Sequence, residues 1–325
     1  MRNLWFKALL HLGVLMGLSV LLAPALFSPP TNTLAFVSSQ DSNQEIYLLD
    51  IQRHIQHNLT RHLAQDDWPT WSPDGRYLAF WSNRDARAGI YVMDVYSGAV
   101  QPLPIAAGAS ATGLKWSPDG EYLAFSSPYG GGNDIYIAEL NCDGLTCDSI
   151  AQRIVSFDAD DTSPEWSPDS RELAFVSNWK WRGTLQVYVV NRNGTHVRAL
   201  TRARTYSFQP SWSPDGSTIA FVSNRENVRG WQIYLMRADC ASILRQNCIP
   251  QVITANYMVS RGLDWSPDGR LIAFSSDSSN EHNLYVVDIG SCLSTDIIQG
   301  ANPDPCISYP LTDQRGFNLH PAWQP

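Results

Sequence analysis

The stretch "WSPDG" at Trp71–Gly75 decides the fold, because the chain repeats it at Trp116, Trp212 and Trp265, with "WSPDS" at Trp166. Proline sets φ for the first central position of a turn, aspartate bonds the backbone beyond it, and glycine takes a φ that side chains resist. Nine residues after each of these Trp residues comes a Phe closing "LAF" or "IAF": Phe80, Phe125, Phe175, Phe221 and Phe274. Eleven or thirteen residues later follows Tyr91, Tyr136, Tyr188, Tyr234 or Tyr285 inside an apolar run, and several units finish near "LT". The runs are short, β-branched and aromatic, and turn residues bound them, which is the pattern of strands rather than helices. Four antiparallel strands per 45–58 residues is the period of a propeller blade.

The ends complete the count. "LAF" at Leu34–Phe36 and "IY" at Ile46–Tyr47 arrive with no Trp before them, and "HPAWQP" at His320–Pro325 supplies a Trp with no "LAF" after it. Joined, the two halves make a sixth blade. The expected fold is all-β: a six-bladed propeller of four-stranded antiparallel blades over residues 32–325. Its ring closes when the C-terminal strand pairs with the N-terminal blade and hides the open sheet edges.

Residues 1–31 read differently. Arg2 and Lys7 precede a run from Ala8 to Phe27 that only His11 and Ser19 interrupt, and "APA" follows at Ala23–Ala25. This fits a cleaved signal peptide, and equally an uncleaved anchor across a bilayer core of roughly 30 Å. Either reading exports the rest of the chain. Against 23 basic residues stand 31 acidic ones, a net charge of −8, and no basic run occurs; nucleic acid is not an expected partner. Membrane contact is expected only through the N-terminal segment, if it is retained.

Six cysteines fall as three local pairs, Cys142 with Cys147, Cys240 with Cys248, and Cys292 with Cys306. Each pair lies between the "IY" strand and the fourth strand of a unit that is longer than the units without cysteine. An even count in an exported chain favours disulfides, and closing a loop of roughly 15 residues contributes about 3 kcal/mol in the chain-entropy view. A zinc site would need ligands to converge from separate blades.

At these residues the chain resembles the TolB-type β-propellers with their WD40-like repeat, as in "WSPDGRYLAF", "WSPDGEYLAF" and "WSPDGRLIAF". The resemblance implies a six-bladed ring in a bacterial envelope. It implies little about activity, since similar blades occur in envelope proteins, peptidases and sugar-processing enzymes. TolB itself carries an α/β domain before its propeller, so its role is not expected to transfer whole.

The candidates for chemistry are few. No G-x-S-x-G elbow is present, and "GGG" at Gly130–Gly132 joins two strands rather than opening a helix as a phosphate cradle requires. His54, His57, His62 and His320 share the first blade, though strand neighbours at this spacing sit mostly at a solvated edge, so no metal or cofactor is expected. Asp66 and Asp67, and Asp160 and Asp161, precede inner strands and offer oxygens for a cation or polar ligand at the channel mouth. The plainer reading is that they start turns. In "NWKWRG", Trp179, Lys180, Trp181 and Arg182 replace the polar loop of other blades with residues enriched at interface hot spots. Alternatively the indoles pack on the neighbouring blade.

Turns alternate between the two ends of an antiparallel blade. The "NWKWRG" loop and the Asp-bearing connections therefore share one face, and the "SPDG" turns and Cys loops share the other. The sequence points to a non-catalytic extracytoplasmic scaffold that docks a protein or peptide in the envelope on the first of these faces. The rivals are a carbohydrate-active propeller, lyase or hydrolase, working at the channel mouth, and a glycan-binding module that stacks sugars on Trp179 and Trp181.

Overall fold

The structure is a computed structural model. It describes residues 32–325 except 87, 106–108, 144–145, 181–182, 203–204, 226–229, 241–247, 255–258, 278–281, 293–305 and 314–315. Residues 1–31, Trp181 and Arg182 therefore lie outside the described residues, as do the side chains of Cys142 and Cys147.

Six four-stranded antiparallel sheets form the ring. In blade 2 the inner strand Asp66–Trp71 is followed outward by Tyr77–Ser82, Gly89–Asp94 and Val100–Pro102. Blades 3, 4 and 5 begin with inner strands Thr112–Trp116, Asp161–Trp166 and Ser207–Trp212, and blade 6 with Val259–Trp265. Blade 1 takes its inner strand, Asn318–Trp323, from the C-terminus and pairs it with Thr33–Ser38, Leu34 opposite Trp323 and Ala35 opposite Ala322. No sheet edge is left open at that seam, so the expected closure is the observed one.

The repeated letters each hold something. Phe of "LAF" is fully buried in every blade and lies beside the Tyr of the next strand, with ring centroids 5.6–6.2 Å apart. These pairs are the apolar pillars of the blades. The repeat Trp reaches backward: the indole N–H of Trp71 donates to the Ala322 carbonyl, Trp166 to Lys115 and Trp265 to Ser211, at 3.1–3.2 Å. Each bond ties a blade to the one before it.

The "SPDG" turn is a closed hydrogen-bond unit. In all five copies the Ser hydroxyl donates to the Asp two residues on at 2.5–2.6 Å. That same hydroxyl accepts the backbone N–H five residues on, at 2.8–3.0 Å. The last turn position has φ between 58° and 80°, held by glycine in four copies and by Ser170 in "WSPDS". Ser170 finds its own use, for its hydroxyl accepts the Asp119 N–H of the preceding turn at 3.0 Å.

"LT" is equally structural. The hydroxyls of Thr60, Thr201, Thr254 and Thr312 each accept the N–H of the residue after the third strand's first position, at 2.9–3.0 Å. Each also donates to the side chain at that first position, Glu45, Gln186, Gln232 or Asn283.

Disulfides join Cys240 to Cys248 and Cys292 to Cys306. Cys142 and Cys147 stand directly opposite each other in the backbone register of the long outer hairpin of blade 3.

Candidate functional site

Each inner strand runs from what we call the loop face toward the turn face, where the "SPDG" turns sit. Three residues before its Trp it carries a bulge with positive φ in every blade: Trp68, Gly113, Ser163, Gln209, Gly262 and His320, at 50–74°. Register slips at the same place in all six inner pairs. Pro69, Pro164, Pro210 and Pro321 follow four of these residues; proline is tolerated there because a bulge leaves the ladder. The bulged residue and the one or two that follow it line the channel. They nearly fill the channel, leaving a cavity of about 50 Å³.

Two polar groups occupy that plug. Toward the turn face, Lys115 bridges Glu165 of the next blade at 2.8 Å and Asp264 across the ring at 3.3 Å. Asp264 in turn accepts the backbone N–H of Trp323 in the closing strand at 2.6 Å. Burial pushes the Glu165 carboxyl up to about 7, against the pull of Lys115, and raises Asp264 as well. Toward the loop face, His320 Nδ1 lies 2.7 Å from Asp67, and its ring stacks on Trp68 with centroids 3.7 Å apart.

The four candidate carboxylates are thus separated. Asp66 is fully buried, paired with Arg84 at 2.8 Å, and its pKa is raised, chiefly by burial. Arg84 lies over the Phe80 and Tyr91 rings of the same blade. Asp67 is bound to His320. Asp161 is buried with a raised pKa, burial again the main cause, and accepts the Phe157 N–H at 3.1 Å. Only Asp160 faces an open space.

That space is a cleft of about 550 Å³ on the loop face between blades 3 and 4. Gly130–Gly132 forms one wall, the connection through Phe157–Asp160 the other, and Asn178 closes one end. Asp160 accepts from the Asn133 amide at 3.3 Å, and its own N–H donates to Asn178 at 3.1 Å. Arg153 pairs with Asp134 at 3.0 Å within the cleft. A Cβ on Gly130 would stand 2.6 Å from the Arg153 guanidinium, and Gly131 has a φ of 108° that side chains resist, so this wall is bare backbone.

Trp179 occupies the slot that Arg84 holds in blade 2. It stacks flat on Phe157, centroids 3.9 Å apart, with Lys180 Nζ 4.8 Å from its centroid. One face of the indole is thereby covered by Phe157. Among the described residues no three His, Cys, Asp or Glu side chains group as a metal site. His62 Nδ1 accepts the Ala64 N–H, and His57 lies at the turn face. The sequence reading missed the bulges, the Lys115 cluster and the cleft. Gly113 and Gly262, in the slot that precedes proline elsewhere, were the available signal for the bulge.

The profile of the TolB beta propeller domain matches residues 17–144 and 106–246. No curated protein sequence matches the chain. Among solved structures, TolB from Acinetobacter baumannii is similar with a TM-score of 0.68 at 18% identity, over 90% of this chain and 67% of that one. Hydrazine synthase from Kuenenia stuttgartiensis gives 0.65 at 14%, covering 91% and 47%. A puromycin-hydrolyzing peptidase from Mycobacterium tuberculosis gives 0.55 at 15%, covering 86% and 43%. Neighbours named for such different roles show the fold of the ring and no shared activity. With the profile spanning more than half of the sequence on six blades of its repeat, the chain belongs to the TolB β-propeller domain family.

Proposed function

We propose that this chain is a non-catalytic extracytoplasmic binding protein that docks a protein or peptide partner on its loop face, at the cleft between blades 3 and 4. The observation that carries the reading is the cleft's bare glycine wall facing Asp160 and Asn178. Unsubstituted backbone and fixed amides suit a peptide's own N–H and C=O groups. Tyr129, 65% exposed at the start of that wall, supplies an aromatic contact at the rim. Trp181 and Arg182 extend the same loop from Trp179 and Lys180, and we assign them to the docking surface as well. Two disulfides favour an oxidising compartment. We further propose that residues 8–27 export the chain, as a cleaved signal peptide or as a retained anchor.

The carbohydrate-active rival asked for His and carboxylates converging on the channel. Asp67, His320, Glu165 and Asp264 do converge there, but a cavity of about 50 Å³ admits water and not a sugar ring. A glycan platform on Trp179 is disfavoured because Phe157 stacks on one face and the Lys180 ammonium lies 4.8 Å from the ring centroid.

The test is affinity capture from native envelope extract with the oxidised full chain, beside Asp160→Lys and Trp181→Ala variants. A discrete protein retained by the parent and lost by Asp160→Lys is expected. Capture indifferent to both variants moves the site elsewhere, and binding to glycans alone overturns the reading.

A further inference from the structure

The junction of blades 3 and 4 shows how the space beside a repeat Trp is filled at the turn face. Tyr122 opens the second strand of blade 3 and packs on Trp166, ring centroids 6.2 Å apart. The Arg192 guanidinium, just past the third strand of blade 4, lies 4.6 Å from the Tyr122 centroid. Other junctions reach the same end with other residues. Tyr77 and Leu140 pack against one apolar cluster with Trp116, and Leu271 and Ile51 against the cluster of Trp323. Where the Tyr122 position holds Glu172 or Thr218, cysteine pairs complete the packing. Cys240 and Cys248 join the cluster of Trp212, and Cys292 and Cys306 that of Trp265.

Between blades 1 and 2 the repeat departs from all of these. Thr33 stands at the Tyr122 position, Val95 stands at the Arg192 position, and neither blade carries a cysteine insertion. Beside Trp71 there is accordingly a pocket of about 290 Å³, lined by Thr33, Leu48, Trp71, Val95, Tyr96 and Gln324. Gln324 is buried in its wall. Its amide donates to the Gly75 carbonyl at 2.8 Å, and its side-chain oxygen has no partner among the described residues.

We propose that this pocket binds a small aromatic molecule carrying a hydroxyl group, the free counterpart of the tyrosine ring that blade 3 supplies at the same position. An apolar cavity of roughly 150 Å³ accepts benzene, so this one admits a phenol ring with a short substituent. Trp71 and Tyr96 offer it aromatic contacts, Leu48 and Val95 aliphatic ones, and the Gln324 oxygen an acceptor for the hydroxyl. The site lies at the opposite end of the ring from the cleft and does not depend on it.

The full chain is titrated by calorimetry with 4-methylphenol, with cyclohexanol as a saturated ring of similar size, and with a glycyl-tyrosyl-glycine peptide. Thr33→Tyr places the repeat's own ring in the pocket, and Val95→Phe narrows it from the side of blade 2. The parent is expected to bind 4-methylphenol about tenfold more tightly than cyclohexanol. Each variant is expected to lose about tenfold of that affinity or more. Thr33→Tyr should also unfold at higher urea, which separates a filled pocket from a misfolded chain. Asp160→Lys, at the other face, should bind as the parent does. Absence of 4-methylphenol binding, equal affinity for the two rings, or binding that survives both pocket variants overturns the proposal. Tighter binding of the peptide than of 4-methylphenol would assign the pocket to a protein partner and overturn it too.

Discussion

The two faces of the ring are made from the same units, yet they keep different amounts of the repeat. At the turn face, five copies of Ser-Pro-Asp hold identical hydrogen bonds to within a few tenths of an ångström. At the loop face, one structural slot holds Arg84 over Phe80 and Tyr91 in blade 2, Trp179 over Phe157 in blade 4, and Arg225 over Phe221 in blade 5. The position opposite is Asp66, Asp161 or Ser207. Constant chemistry builds the blades; variable chemistry sits where a ligand can be chosen.

If that division is right, substitutions at the two faces separate stability from binding. The largest loss is expected where variation is buried. Arg84→Met strands the Asp66 carboxylate without its cation, and should cost about 3–5 kcal/mol by urea unfolding at pH 7. Because burial already raises the Asp66 pKa, part of that loss should return as pH falls and the acid is neutralised. An unchanged midpoint would mean that water reaches the pair.

Next is the channel. Glu165, at about 7 in the fold against 4.5 as a free side chain, makes the folded state bind a proton that the unfolded chain releases. Stability should therefore fall as pH rises from about 4.5 to 7 and level off above, by roughly 3 kcal/mol, with Asp264 acting in the same direction. Glu165→Gln should flatten the slope measured by urea midpoints. In the turns the sign reverses: the Ser hydroxyls lower Asp169, Asp215 and Asp268 below their ordinary 3.8, so their contribution persists above it and is lost in stronger acid.

A smaller effect is expected for Ser266→Ala, which removes one turn's donor to Asp268 and acceptor for Leu271, about 1.5 kcal/mol. Partner capture should be unaffected. The smallest is Asp160→Lys, exposed and bonded only to asparagines, which should shift stability by under about 0.5 kcal/mol while abolishing capture.

How much was legible follows the same line. "WSPDG", "LAF" and "IY" encode local contacts, so blade number, strand order and the closing seam could be read from spacing. The cleft could not, because Gly130, Asp160 and Asn178 meet only after two blades pack side by side. Lys115 and Asp264 are 149 residues apart and look like surface charges until the bulges aim them at the axis. Trp179 reads from sequence either as an exposed anchor or as an indole packed on the neighbouring blade; the packing that half-buries it comes from Phe157, across a connection with no repeat of its own.

The most direct test of the division is site-specific photo-crosslinking in the producing cell, with the probe placed at Tyr129 on the loop face or at Tyr96 on the turn face. A discrete protein adduct from position 129, absent from 96, is the predicted result. The same adduct from both positions, or from 96 alone, would contradict the assignment of binding to the loop face.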